Sequence, residues 1–333
     1  MKAKLPLTAA ALALLITLPA PFSICFAQGV LTPPGAPAPT MKSLDQIEAR
    51  TPITNTASLV IITQPGSYYL THNLTVSSGD GIDINVSGVT LDLNGFTISS
   101  TVASATGSGI LLGSALSDLT ICNGHIRGSV TNNGSGVYGG GGFGNGIYYN
   151  GSSPVNILVS RVSVSRCLFS GIYLSTGDAT VVEACTVHTA GSDGIVASTL
   201  KNCAAVDCGN VAIYGDEVSD CQGRCSGGGD GLYANYVAQN CYGQSSTGNG
   251  LATTTAQNCY GEGDGGGYGL DADTAQNCYG YSASGFGLES ETAIGCYGYS
   301  SSSTGLSAFI ANVCHGATYR GTALSVTHNI YSY

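Results

Sequence analysis

Eight cysteines recur at Cys185, Cys203, Cys221, Cys241, Cys259, Cys278, Cys296 and Cys314, separated by 18, 18, 20, 18, 19, 18 and 18 residues. Self-similarity at a fixed period of this size is the signature of a solenoid, whose coils each pack only on their neighbours. The period is carried by more than one column. A branched apolar residue follows each cysteine by ten or eleven positions: Ile195, Ile213, Leu232, Leu251, Leu270, Leu288, Leu306 and Leu324. Three positions before each cysteine stand Val182, Leu200, Val218, Ala238, Ala256, Ala275, Ala293 and Ala311. Three columns in one register define a coil.

The coil from Gly269 to Gly280 shows how it works. Leu270, Ala272, Ala275, Cys278 and Gly280 are predicted to face inward, and Asp271, Asp273, Gln276 and Tyr279 outward, the alternation of strands. Asn277 is assigned the bend, because asparagine tolerates the left-handed backbone. The same logic places bends at the Asn-Gly pairs Asn94-Gly95 and Asn123-Gly124. One strand cannot bury its own inner face; stacked coils give every backbone group a partner above and below. The apolar fraction of 43% is mostly small residues, and glycine numbers 49, which suits thin layers. In this register Val162, not Cys167, precedes Cys185. Cys167, Cys208 and Cys225 are placed on loops off the ladder, and Cys122 is expected to point outward.

Upstream of the coils, residues 1–27 have the make-up of a secretory signal. Lys2 and Lys4 precede an apolar run, and Cys25-Phe26-Ala27 is an acceptable cleavage site. Residues 28–53 are expected to form a proline-rich linker and a short capping helix, opened by Ser43-x-x-Gln46 and ended by Pro52. Residues 54–333 then form the solenoid. The glycine-rich stretch 131–146 is expected to be a loop thrown out from the stack. The apolar leader is too short to span a bilayer, so no membrane insertion is expected after cleavage. The predicted location is secreted, at the cell surface or in the periplasm. The chain carries a net charge of −10 with only 10 Lys plus Arg, which argues against a nucleic-acid partner.

An 18-residue coil also fits a left-handed helix of three hexapeptides, but the inward positions fall at intervals of two, eight and three, not six. The Asn-Cys pairs (Asn202-Cys203, Asn240-Cys241, Asn258-Cys259, Asn277-Cys278), the Gly-Ile or Gly-Leu starts and the run Val89-Thr90-Leu91-Asp92-Leu93-Asn94-Gly95 resemble secreted bacterial right-handed parallel β-helix repeat proteins of the pectin-lyase-like fold group. The resemblance implies an all-β, single-stranded right-handed parallel β-helix from about Thr54 to Tyr333. It implies little about activity, because that scaffold hosts lyases, hydrolases, esterases and adhesins. Of the hydrolase motifs, Asp80-Gly81-Ile82-Asp83, Asp193-Gly194-Ile195 and His315-Gly316 resemble fragments, while an Asp-Asp pair and an Arg-x-Lys are absent.

Two outward surfaces carry candidate chemistry. Asp271 and Asp273 stand on one coil, and Glu289 and Glu291 in the same columns on the next. Such a cluster is a candidate calcium site, a candidate acid/base pair for glycoside cleavage, or a solvated acidic face. Tyr242, Tyr260, Tyr279 and Tyr297 follow ladder cysteines and should stack outward, continued by His315, as a stripe able to lie against sugar rings. The favoured reading is a glycan-binding or extracellular interaction module whose partner is a polysaccharide or cell-surface glycan. The alternatives are a pectate-lyase-like or glycoside-hydrolase enzyme and a purely structural protein that self-associates through its C-terminal coil. The ladder thiols are expected to be reduced core residues, with Cys208 and Cys225 the candidate disulfide.

Overall fold

The computed structural model describes residues 49–151, 154–176 and 179–330. The leader, the linker and nearly all of the proposed capping helix lie outside these residues. The first described strand, Thr51–Ile53, pairs in parallel with Gly66–Leu70, so solenoid pairing begins three residues before the expected boundary and Pro52 belongs to a strand. Among the described residues there is no helix.

The chain is an all-β parallel solenoid of about 14 turns. The inward column predicted from Ile195 onward extends upstream as Ile82, Ile110, Ile147 and Ile172, each the register partner of the next. It continues through Leu306 to Leu324. In the coil at Leu270–Gln276, burial alternates as predicted, with Leu270, Ala272 and Ala275 inside and Asp273 and Gln276 exposed. All eight ladder cysteines are buried, and the thiols are free.

The ladder sits at a sharp corner. The residue before each ladder position is held at positive φ, between 51° and 64°, from Arg161 and Ala184 through Asn202, Asp220, Asn240, Asn258, Asn277 and Gly295 to Val313. This turn of the backbone gives the thiols a polar role. Cys259 N–H donates to Cys278 Sγ at 3.5 Å, and Cys203 and Cys296 do the same to the next cysteine at 3.3 and 3.4 Å. Each thiol in turn donates to the carbonyl two residues before it, as Cys278 does to Gln276 at 3.2 Å. The cysteine side chain is small enough for a thin core and still partners a backbone N–H that points into it.

Cys167, Cys208 and Cys225 do not lie on loops. They fall in a second inward column, Cys167, Ala190, Cys208, Cys225, Ser245, Gly263, Ser282 and Ser300, at the ends of strands. Its serines donate to turn carbonyls at 2.6–2.7 Å, and Cys225 Sγ donates to Cys208 O at 3.4 Å. The column needs small side chains, and where serine or Cys225 stands in it the side chain also donates to a backbone carbonyl. Cys122 does occupy an outward column, beside Asp92 and Ser160, yet it is only 9% exposed, and the Asn123 amide donates to its sulfur at 3.3 Å.

The late coils are thin because glycine faces glycine across the core. A Cβ on Gly261 would be driven into the Gly269 carbonyl, and one on Gly269 into the backbone of Tyr281. The stretch 131–146 is likewise ordered, not a free loop. Thr131–Asn132 and Tyr138–Gly139 form an antiparallel hairpin, and Phe143 is fully buried. Asp207 latches this hairpin: it accepts from Asn132 at 2.6 Å, Tyr138 at 3.1 Å and Thr189 at 2.8 Å. Burial opposes the Asp207 charge, but these bonds outweigh it and hold the carboxyl below its ordinary range.

Candidate functional site

The tyrosine ladder forms as expected. In Tyr242–Ser245, Tyr260–Gly263, Tyr279–Ser282 and Tyr297–Ser300, an inward glycine after each ladder tyrosine turns that tyrosine outward. Ring centroids are 5.3, 4.8 and 5.0 Å apart along the ladder, with interplanar angles of 11°, 11° and 14°. The ends are covered as well. The Arg224 guanidinium lies 5.3 Å over Tyr242, and His315 packs edge-on against Tyr297 at 5.1 Å. Each ladder ring therefore has both faces occupied, and what it presents is an edge and a hydroxyl.

A second row stands beside the first. Tyr281 and Tyr299, two residues beyond Tyr279 and Tyr297, stack at 5.7 Å and 3°. The row continues upstream as Glu262 and Gln244. The Tyr242 hydroxyl donates to Glu262 at 2.8 Å. Burial, and then the Glu262 charge, push the Tyr260 phenol up to about 12, so it stays protonated and a donor at neutral pH. The result is a flat face of phenol hydroxyls repeating once per coil.

The carboxylates lie on another face. Asp271 and Glu289 are direct register partners, and with Asp273 and Glu291 they line a groove of about 380 Å³. Burial raises the Asp271 carboxyl above its ordinary range, and Glu289, Asp230 and Asp273 add to the effect. Among the described residues no three His, Cys, Asp or Glu side chains converge as a metal-binding group. The four carboxylates thus share a groove without forming a common ligand sphere.

The register also exposes a column that the sequence reading missed. Asp271 and Glu289 continue a line of outward positions running Tyr148, Tyr173, Val196, Tyr214, Tyr233 and Ala252. Each follows the inward Ile or Leu by one residue, a signal present in the sequence but obscured by the Val and Ala that interrupt the aromatics. Tyr148 and Tyr173 stack at 5.6 Å, whereas Tyr214 and Tyr233 meet at 5.4 Å and 63°. A pocket of about 360 Å³ lies among Tyr173, Tyr214, Tyr233, Asp193, Asn210 and Val211.

The Asp-Gly-Ile fragments have a backbone role. Asp80 Oδ1 accepts Ser108 N–H at 2.6 Å, Asp193 Oδ1 accepts Val211 N–H at 3.2 Å, and Asp230 Oδ1, before Gly231-Leu232, accepts Asn249 N–H at 2.7 Å. These side chains bridge one coil to the next at the turn. The His315 ring lies on the ladder, far in register from Asp80 and Asp193, so the three hydrolase-like fragments do not assemble. Cys208 and Cys225, the candidate disulfide, are register partners on neighbouring strands, and both thiols are free. Among the described residues no helix is long and apolar enough to cross a membrane.

No protein-family model, no curated protein and no solved structure matches the chain.

Proposed function

We propose that the chain is an extracellular glycan-binding module and that the tyrosine face is its principal contact surface. The observation that supports this most directly is the paired row of phenols at Tyr279, Tyr281, Tyr297 and Tyr299, flanked by Glu262 and Gln244. The covered ring faces turn the expected stacking on sugars into a different mode: hydroxyl and carboxylate edges meet sugar hydroxyls, at a repeat comparable to that of successive residues in an extended polysaccharide. The leader-like N-terminus is consistent with export to where such polymers occur.

The test is retention on a panel of neutral and acidic polysaccharides by wild type and by a Tyr279→Phe, Tyr297→Phe variant. The substitution removes two hydroxyls and leaves the stack. Two hydrogen bonds at about 0.5–1.5 kcal/mol each predict roughly tenfold weaker retention or more. Unchanged retention assigns the ladder to stability alone.

The Asp271–Glu289 pair favours a second reading, because a carboxyl raised above its ordinary range by burial, beside a second carboxyl, is the arrangement glycoside hydrolysis uses. Release of reducing ends from the same polysaccharides, abolished by Glu289→Gln, would distinguish an enzyme from a binding module.

A further inference from the structure

We propose that the pocket among Tyr173, Tyr214, Tyr233, Asp193 and Asn210 is a separate subsite that takes an uncharged sugar residue. The proposal rests on the glycan reading for its ligand class but not for its place, since the pocket lies in a different outward column from the ladder.

The rings here are available in a way that the ladder rings are not. Tyr214 has an aromatic neighbour on one side only, Tyr233, at 63°; its register partner on the other side is Val196. Tyr173 likewise stacks on Tyr148 and is followed by Val196. Val196 is itself only 2% exposed, so the ring surface offered to the apolar face of a pyranose is on the pocket side, where Tyr173, Tyr214 and the exposed Tyr233 form the lining.

The polar groups are fixed beside those rings. Asn210 Nδ2 donates to Asp193 Oδ1 at 2.7 Å, and Val211 N–H donates to the same oxygen at 3.2 Å. Asp193 Oδ2 has a longer contact, 3.4 Å from the Ser192 hydroxyl. An oriented carboxylate oxygen and the second amide hydrogen of Asn210 thus stand side by side, an acceptor and a donor that match two adjacent sugar hydroxyls. Because the pair is pre-set by the coil-to-coil bridge, binding loses little side-chain entropy. The volume, about 360 Å³, falls within the size of small-ligand sites.

Charge selects against uronates. No Lys or Arg lines the pocket. Asp193 lies in it, and Asp216 is on the strand of Tyr214. A carboxylate on the ligand would face these charges without a counter-ion, within a Debye length of roughly 8–10 Å.

The experiment is calorimetric titration with cellohexaose, xylohexaose, mannohexaose and hexagalacturonate. At least one neutral oligosaccharide is expected to bind wild type, and hexagalacturonate at least tenfold more weakly. Tyr214→Ala and Asn210→Asp should each cost tenfold or more, with an unchanged far-ultraviolet dichroism spectrum. Asn210 is exposed, so its variant tests the site even where the tyrosine variant is poorly folded. Full affinity in Asn210→Asp, together with loss in Tyr279→Phe, Tyr297→Phe, overturns the subsite and leaves glycan binding at the ladder intact. Hexagalacturonate binding at least as tightly as the neutral oligosaccharides overturns the charge argument and with it the proposal. Absence of binding by any saccharide to wild type overturns both this subsite and the wider reading.

Discussion

The corner before the cysteine ladder demands a left-handed backbone, whatever residue stands there. Asparagine meets the demand at Asn202, Asn240, Asn258 and Asn277, and Val313 meets it at φ 54° although it is β-branched. Left-handed geometry costs a residue with a Cβ about 1–2 kcal/mol, and Val313, 60% exposed, recovers little of that by burial. Val313→Asn is therefore expected to stabilise the protein by about 1 kcal/mol, read as a higher urea midpoint with an unchanged slope. Asp271 is the opposite kind of misfit, a carboxylate held where its charge is unwelcome. Its folded pKa lies above the ordinary 3.8, so the native state holds the proton more tightly than the unfolded chain does. The stability this lends is present below 3.8 and is lost as pH rises through the folded value. Asp271→Asn should accordingly raise the urea midpoint at neutral pH, and the gain should vanish well below 3.8. A gain that persists in acid would mean that something other than charge is relieved. The cysteines show the limit of reading one residue at a time. Their spacing identifies them as small core residues, but their acceptance of a corner N–H follows only from the turned peptide at that corner.

At the scale of a strand, alternation with glycine decides which side chains are displayed. Tyr-Gly-Tyr at Tyr279–Tyr281 sends two phenols out and one hydrogen in, and the inward glycine lets opposite strands touch through their backbones. Gly261→Ala would force the Gly269 carbonyl away, so it is expected to cost about 1–3 kcal/mol, seen as a lowered thermal midpoint, although alanine is otherwise well tolerated. An unchanged midpoint would show that the thin core can widen. Strands, their inward faces and the tyrosine ladder were legible in the sequence because a period of two needs no knowledge of neighbours. The Thr131–Gly139 hairpin was not, since the residue that latches it, Asp207, lies 75 positions from Asn132. The Cys208 and Cys225 positions were misassigned for a related reason. A strand end and a turn have similar composition, and only pairing tells them apart.

For the molecule as a whole, one coil is a unit that can be removed. Deleting residues 270–287 would join Gly269 to Leu288, which already occupies the column of Leu270. The shortened protein is expected to fold with the same dichroism per residue and a lower thermal midpoint, because solenoid stability is roughly a sum over coils and their interfaces. Deleting only 270–278 would remove Cys278 and place Tyr279 directly after Gly269, half a coil out of register, and should prevent cooperative folding. Equal behaviour of the two deletions would contradict the register.

By itself the sequence determined the architecture, the inward columns and the existence of an outward tyrosine ladder. Each of these repeats, and a repeat announces itself along the chain. Only the tertiary structure decided what the outward ranks offer a ligand. It closed the ladder rings with Arg224 and His315, aligned Tyr173, Tyr214 and Tyr233 with Asp271 and Glu289, and turned the Asp-Gly-Ile fragments into bridges between coils. Those outcomes depend on groups 18 to 28 residues apart in sequence meeting across a coil spacing of about 4.8 Å. Periodicity fixes that spacing, but whether two facing side chains stack, repel or bond depends on the contacts they make.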